Sequence, residues 1–395
     1  MVGTNFVPLN GGIAQYTLQL AKFLNRDNRL KFVLTHHHQK TPHLFPVMNI
    51  KNKYFRNRDL GQRIGDNILF IRKFNSLVYT IYIHCFYIIQ VFSHIRINNN
   101  YEWVFTSLYG INNRILIEFL LLMKQPFSVV FHGLDIIEYS NKNEKFILRL
   151  INSSSNLYTN SLATKNLLNS YFPNSKRKDV NIFYPLIDTD DISSLSTIKF
   201  QEIEKSLDIT LDQKIIVVSV CRLVKRKGID LAVKAINLVT KRIDNLIYLI
   251  IGDGPEKSNL NILINKLHLD NEVKLIGRVS DELKFSILKI SKIFLMPNHS
   301  NCYNDFEGFG ISFIEASYQE NVVIGGLNGG AVESVIDHKT GFLFDFEKSQ
   351  NSQVVKLSKK IHELYFNPLI IESMSQTGKK YITENFSIKE TSQEF

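Results

Sequence analysis

Two acids with seven residues between them, Glu307 and Glu315, bracket the stretch Gly308-Phe309-Gly310-Ile311-Ser312-Phe313-Ile314. A Gly-Phe-Gly turn opening an apolar helix leaves backbone N–H groups that no side chain shields. The unpaired N–H groups and the dipole of a helix start attract phosphate, which makes Gly308, Phe309, Gly310 and Ile311 candidate donors. Glu307 falls in the loop before the helix and Glu315 about two turns into it. Both carboxylates can then face one crevice at different depths and accept hydrogen bonds from hydroxyls of a sugar or a ribose. A plain helix start with an acidic first turn fits the same residues, and on this stretch alone both readings stay open.

A second cluster follows the predicted strand 215–220: Cys221-Arg222-Leu223-Val224-Lys225-Arg226-Lys227-Gly228. Arg222 and Lys227 lie five apart on a strand-to-helix loop. They bring a planar guanidinium and a point ammonium near one helix N-terminus, a pairing suited to a diphosphate. An exposed basic loop is the plainer alternative. His132, followed by Gly133-Leu134-Asp135, ends the predicted strand 128–131, and α/β folds bind ligands outside such strand ends. Gly11-Gly12, after a predicted strand over residues 1–7, lets the backbone pass close to whatever lies above that strand end.

The elements that would position these residues alternate strand and helix along the whole chain, which calls for parallel sheets with right-handed crossovers. At 395 residues the chain is too long for one ordinary core. We expect a first domain over residues 1–187, a second over 188–375, and a helical tail over 376–395. The string Asp188-Thr189-Asp190, nominally a metal-binding D-x-D, lies in a polar stretch after the first domain and reads as linker.

The string Glu307-Gly308-Phe309-Gly310-Ile311-Ser312-Phe313-Ile314-Glu315-Ala316 resembles the glutamate–seven–glutamate motif of family 4 glycosyltransferases, also called glycosyltransferase group 1. Arg222 and Lys227-Gly228 match that family's R-x4-K-G string, His132-Gly133-Leu134-Asp135 its histidine motif, and Gly11-Gly12 its early glycine pair. The resemblance covers nearly the whole chain. It implies a GT-B fold, two Rossmann-like doubly wound parallel-sheet domains facing a central crevice. It also implies a retaining glycosyltransferase that moves a hexose-type sugar from a UDP-, GDP- or ADP-sugar to a glycan or lipid-linked acceptor, in cell-surface polysaccharide or lipopolysaccharide synthesis. The donor would bind the second domain and the acceptor the first. Arg222, Lys227 and the backbone at Gly308–Ile311 would hold the diphosphate without a metal cofactor. Glu315 would take the ribose and Glu307 the donor sugar, His132 would orient that sugar, Asp135 would support its loop, and Gly12 would lie near the donor. Where the family has an Asn-Gly-x-Asp turn this chain has Tyr184-Pro185-Leu186-Ile187-Asp188. The predicted first strand and the final helix are short for the family.

Bulk properties narrow the setting. Residues 1–187 hold 22 Lys and Arg against 9 Asp and Glu, and residues 188–395 hold 25 against 28. A basic first half points to an anionic partner, and the anionic face of a bilayer attracts each juxtamembrane basic residue by roughly 1 kcal/mol. The longest apolar run, 77–92, falls short of the roughly 20 residues of a spanning helix and reads as buried or interfacial, with Arg72, Lys73 and Arg96 at its flanks. Three cysteines, Cys85, Cys221 and Cys302, form neither a disulfide framework nor a zinc cage, which suits a reducing cytoplasm. No secretory leader is visible. His36-His37-His38 reads as a solvated loop. A cytoplasmic protein is therefore expected, with the inner face of the cytoplasmic membrane a candidate surface for it. A GT-B epimerase and a non-catalytic two-domain sugar-binding protein are the alternatives. A nucleic-acid partner has only the charge behind it and no motif.

Overall fold

The computed structural model describes residues 11–30, 33–35, 47–49, 102–108, 111–173, 175, 179–299, 306–347 and 349–395. The expected strand 1–7, His36-His37-His38, the run 77–92 with its basic flanks, Cys85 and Cys302 lie outside them. The chain divides into two compact units. One comprises residues 1–131, 142–158 and 174–181, the other residues 132–141, 159–173 and 182–395.

In chain order the first part holds α1 Gly12–Arg26, β1 Val33–Thr35, β2 Val47–Asn49, β3 Trp103–Phe105, α2 Ile111–Leu122, β4 Phe127–Phe131, α3 Leu134–Ser153, β5 Leu157–Thr159, α4 Leu162–Tyr171 and β6 Asn181–Ile182. Strands β3 to β6 form a four-stranded sheet in that order, and β1 pairs in parallel with β2. The segments 132–141 and 159–173, which follow β4 and β5, group with the second unit. The helix α1 buries Ala14, Tyr16, Thr17, Leu20, Ala21 and Leu24, the one-sided spacing of an amphipathic helix.

The second unit continues with α5 Thr189–Leu195, α6 Phe200–Leu207, β7 Ile215–Val220, a 3₁₀ turn at Lys225–Lys227, α7 Ile229–Thr240, β8 Leu246–Ile251, α8 Lys257–Lys266, β9 Val273–Gly277, α9 Asp281–Ile290 and β10 Ile293–Met296. After it come α10 Ile311–Tyr318, β11 Val322–Gly326, α11 Ala331–Ser334, β12 Gly341–Phe344, α12 Gln350–Tyr365 and α13 Pro368–Phe386. Its six strands run in the order β12-β11-β10-β7-β8-β9, and every pairing is parallel. Both faces of this sheet are covered, so its strands are apolar throughout rather than alternating with polar residues. Val217, Tyr248, Ile250 and Leu295 enter the core on one face, and Ile216, Val218, Leu249 and Phe294 the core on the other.

The strand order positions the site. From β7 the chain builds outward through β8 and β9, then returns to lay β10 on the opposite side of β7. Between two such strands the following loops diverge and leave room for a ligand outside the carboxyl ends. Those loops carry the basic cluster after β7 and the acidic motif after β10.

Local sequence fixes the helix starts. Ser280 caps α9 by accepting from the Leu283 N–H at 3.2 Å, with Asp281 and Glu282 in the first turn. Asp188 is a helix cap rather than open linker, accepting from the N–H groups of Asp190 and Asp191. Asp190 in turn is bound by Lys389 at 2.6 Å. The helix α13 runs unbroken from Pro368 to Phe386, and Gly378 presses against the Ser317 side chain of α10.

Candidate functional site

Lys227 is the last residue of the 3₁₀ turn after β7. The turn closes with Gly228 in the left-handed region, φ 65°. A side chain there would also run into the Pro297 carbonyl at the end of β10. Glycine thus lets the two loops approach, and the approach turns Lys227 inward, 7% exposed. Its Nζ donates to Glu307 Oε2 at 2.5 Å. Arg226 Nη1 donates to the same oxygen at 2.9 Å. Burial alone would raise the Glu307 carboxyl, but the two cations outweigh it and hold the group below the ordinary carboxylate value.

Arg222 behaves otherwise. It is exposed, and among the described residues its side chain pairs with no acid. Of the basic pair expected from spacing, one cation is seated on Glu307 and the other stands free at the surface. Arg226, which the spacing did not single out, takes the second place on the carboxylate. A three-residue turn closed by Gly228 puts adjacent side chains on one acid, a result that only the fold reveals.

The motif after β10 has the geometry its glycines imply. A Cβ on Gly308 would collide with the His132 carbonyl and lie 2.9 Å from the Asn160 side-chain nitrogen. Gly310 adopts φ 85° at the start of α10. Among the described residues the N–H groups of Gly308, Phe309, Gly310 and Ile311 have no acceptor, as expected at a helix start. The Phe309 side chain does not face a ligand. It is 2% exposed, 5.7 Å from the Tyr184 ring and 5.4 Å from the Phe386 ring, so only its backbone can serve a donor.

Glu315 sits on α10 with its side chain buried. Lys284 of α9 bridges it and Asp281, at 3.1 Å to each. Burial works against the Lys284 charge, and the two acids more than offset it, so the lysine is held above its ordinary value. The other Glu315 oxygen makes no hydrogen bond among the described residues. Lys284 is a second cation that spacing did not reveal.

His132 lies with the motif through its backbone contact with Gly308. Asp135 folds back on that loop and accepts from the N–H groups of His132 at 3.0 Å, Gly133 at 2.9 Å and Ile136 at 3.0 Å. Burial nonetheless lifts its carboxyl to about 6, with these bonds pulling the other way. Asn160 and Thr164 complete the seat: Thr164 Oγ1 donates to Asn160 Oδ1 at 2.7 Å and reaches the Gly308 carbonyl at 3.5 Å. Glu333 is a further unpredicted participant. Its two oxygens accept from the N–H groups of Leu162 at 2.6 Å and Ala163 at 2.9 Å, at the start of α4. Gly12 belongs to the other unit, where it opens α1, is exposed and has no atom within 4 Å of its missing Cβ. Among the described residues no three His, Cys, Asp or Glu side chains gather as metal ligands.

Among the described residues the arrangement is a set of unpaired N–H groups beside a buried carboxylate that meets two cations, with a second carboxylate on α10. It can take an anion and several hydroxyls. Comparison with known proteins agrees with that chemistry. Residues 200–381 match the family model for glycosyl transferases group 1. A GDP-mannose-dependent alpha-(1-6)-phosphatidylinositol monomannoside mannosyltransferase of Mycobacterium tuberculosis is 30% identical over 174 residues, 44% of either chain. The alpha-1,3/1,6-mannosyltransferase ALG2 of Dictyostelium discoideum is 26% identical over 263 residues, 59% of this chain and 60% of that one. The chain thus matches about half the length of these curated relatives. The crystal structure of Anabaena HepE with UDP and glucose superposes with a TM-score of 0.71 at 16% identity, covering 98% of this chain and 95% of that one. The fold is GT-B, and the residues from α6 into α13 match the group 1 glycosyl transferases in sequence.

Proposed function

We propose that this chain is a retaining glycosyltransferase of family 4 that moves a hexose from a nucleoside diphosphate sugar to a glycan or lipid-linked acceptor. The observation that carries the reading is the meeting of Lys227, Glu307 and the free N–H groups of residues 308–311 at the divergence of the β7 and β10 loops. A diphosphate brings the negative charge that this seat lacks. Lys227, Arg222 and the helix start stabilise it as it leaves, which is where the reaction's charge develops. Those groups suffice, so the reading calls for no resident metal. Glu315 offers its unbonded oxygen to the ribose. Glu307 offers Oε1 to the donor sugar, which His132 orients on the loop that Asp135 braces. The bond from the anomeric carbon to the diphosphate breaks, and a bond to an acceptor oxygen forms on the same face. The acceptor's hydroxyl proton passes to the departing phosphate oxygen.

The second domain, taken as residues 188–375, would hold the donor, with Gly12 near it, and residues 1–187 the acceptor. The sequence relatives named as mannosyltransferases make GDP-mannose the first donor to try, and the HepE complex makes UDP-glucose the second. Thermal stabilisation and slow hydrolysis across UDP-, GDP- and ADP-sugars, without added metal, test the reading. We expect one nucleotide class to respond, with the response lost in Glu315→Ala and Lys227→Met. A folded wild type that answers to no donor would refute it. The basic charge of residues 1–187 supports work at an anionic membrane face in polysaccharide or lipopolysaccharide synthesis. Among the described residues no helix is long and apolar enough to cross a membrane. Flotation with anionic liposomes at low salt tests that placement, and protein left at the bottom of the gradient would end it.

A further inference from the structure

Glu307 carries two cations on one oxygen. Arg226 and Lys227 both donate to Oε2, while Oε1 has no hydrogen-bond partner among the described residues and is not sealed from solvent. Removing either cation's hold on a carboxylate this buried is costly unless the other stays in place. The two cations differ in what they can do. Lys227 is a point charge on a flexible stem, able to turn its donors from one acceptor to another, whereas Arg226 presents a rigid fork. If Lys227 alone faced Glu307, a diphosphate that drew it away would leave a buried carboxylate unpaired.

We propose that Arg226 is a positioning residue for the donor site: it stays on Oε2 while Lys227 turns to the diphosphate, and so keeps Oε1 aimed at a hydroxyl of the transferred sugar. This rests on the donor reading given above. Among the described residues the charged groups facing Glu307 are Arg226 and Lys227, both from the turn after β7. The neighbouring Cys221 thiol is pushed by burial up to about 11, so it is neutral wherever Glu307 titrates. Arg226 therefore sets the acid side of the site once Lys227 is engaged. No phosphate contact is assigned to it, and this separates it from Arg222 and Lys227.

The test uses the full chain as wild type, Arg226→Met and Arg226→Lys. Three quantities are read: the dissociation constant of free GDP and UDP, kcat and KM for the responding donor, and the pH at which stability falls on the acid side. For Arg226→Met we expect kcat to fall about tenfold or more, the loss of one charged hydrogen bond, with nucleotide affinity kept within about twofold. The acid limb of stability should move up by about one pH unit, since one of two opposite charges is gone. Arg226→Lys should restore most of both. An unmoved acid limb with unchanged kcat overturns the proposal and leaves the donor reading intact. Nucleotide affinity lost in step with kcat also overturns it, making Arg226 a phosphate ligand. A wild type that binds no nucleotide refutes the donor reading, and with it the role toward Lys227.

Discussion

Replacing Glu307 with glutamine should be among the most costly single changes in the second unit. The variant keeps the size and hydrogen-bonding outline of the side chain, yet leaves Lys227 and Arg226 around a neutral amide. Lys227 is nine-tenths buried and its partner almost equally so. Breaking a buried pair from one side costs about 3–5 kcal/mol, far more than the worth of an exposed pair. Lys227→Met should cost less, because Arg226 still neutralises the carboxylate. Hydrogen exchange followed on peptides covering β7 and α10 reads this unit separately from the other. At ~1.4 kcal/mol per decade, protection of the slowest amides in Glu307→Gln should fall roughly a hundredfold to several thousandfold at pH 7. The pH dependence has a definite sign. Glu307 titrates below its unfolded value of 4.5, so its contribution is complete above that value and is lost as the pH falls through the lower folded value. Wild type and variant should therefore converge only below pH 4.5. A difference under about 1 kcal/mol at pH 7, or one that does not change on acidification, would show that the cluster is not the paired charge described.

Three further outcomes are expected. Gly308→Ala should destabilise by about 1–3 kcal/mol through collision with the His132 carbonyl, and should cost donor response with it; a wild-type melting temperature would contradict that contact. Asp135 holds its proton to about 6 when folded against 3.8 in the unfolded chain, so its share of stability is full below 3.8 and is lost as the pH rises through about 6. At ~1.4 kcal/mol per pH unit the wild type should lose about 3 kcal/mol across that window relative to Asp135→Asn, and parallel pH profiles would refute it. Glu333→Gln should weaken the start of α4 by about 1–2 kcal/mol, read as faster exchange at Leu162 and Ala163. It should also lower the Tyr184 phenol, which burial first and the Glu333 charge second hold above the ordinary value, and an unmoved phenol titration would argue against the pairing.

The sequence was informative where a residue's role depends on its own neighbours. Gly308 and Gly310 mark a tight helix start from their type alone, and the strands at 215–220 and 128–131 follow from apolar runs of strand length. The place of Lys227 on the turn between β7 and α7 was legible for the same reason. What escaped was pairing across the sheet. Nothing near Arg226 in sequence says that it meets Glu307, and nothing near Lys284 points to Glu315, because each partner arrives from another strand's loop. Asn160 and Thr164 were hidden in the same way, since only the packing of 159–173 into the second unit brings them to Gly308. Arg222 illustrates the converse. Its spacing from Lys227 suggested a shared anion, but spacing does not reveal which side chain the turn sends inward.

The placement of β10 beside β7 also dictates when the site can exist during folding. Lys227 and Glu307 are 80 positions apart in the chain. Closing a loop of that length costs about 4 kcal/mol of chain entropy, more than a single ion pair returns in a still-solvated chain. The strands β7, β8 and β9 are sequential neighbours and can associate early through short crossovers, whereas β10 must return past them to reach β7. Charge pairing at Glu307 is therefore a late event that follows sheet closure. A chain arrested before β10 docks would hold most of its helices, and Lys227 would have no acid to meet.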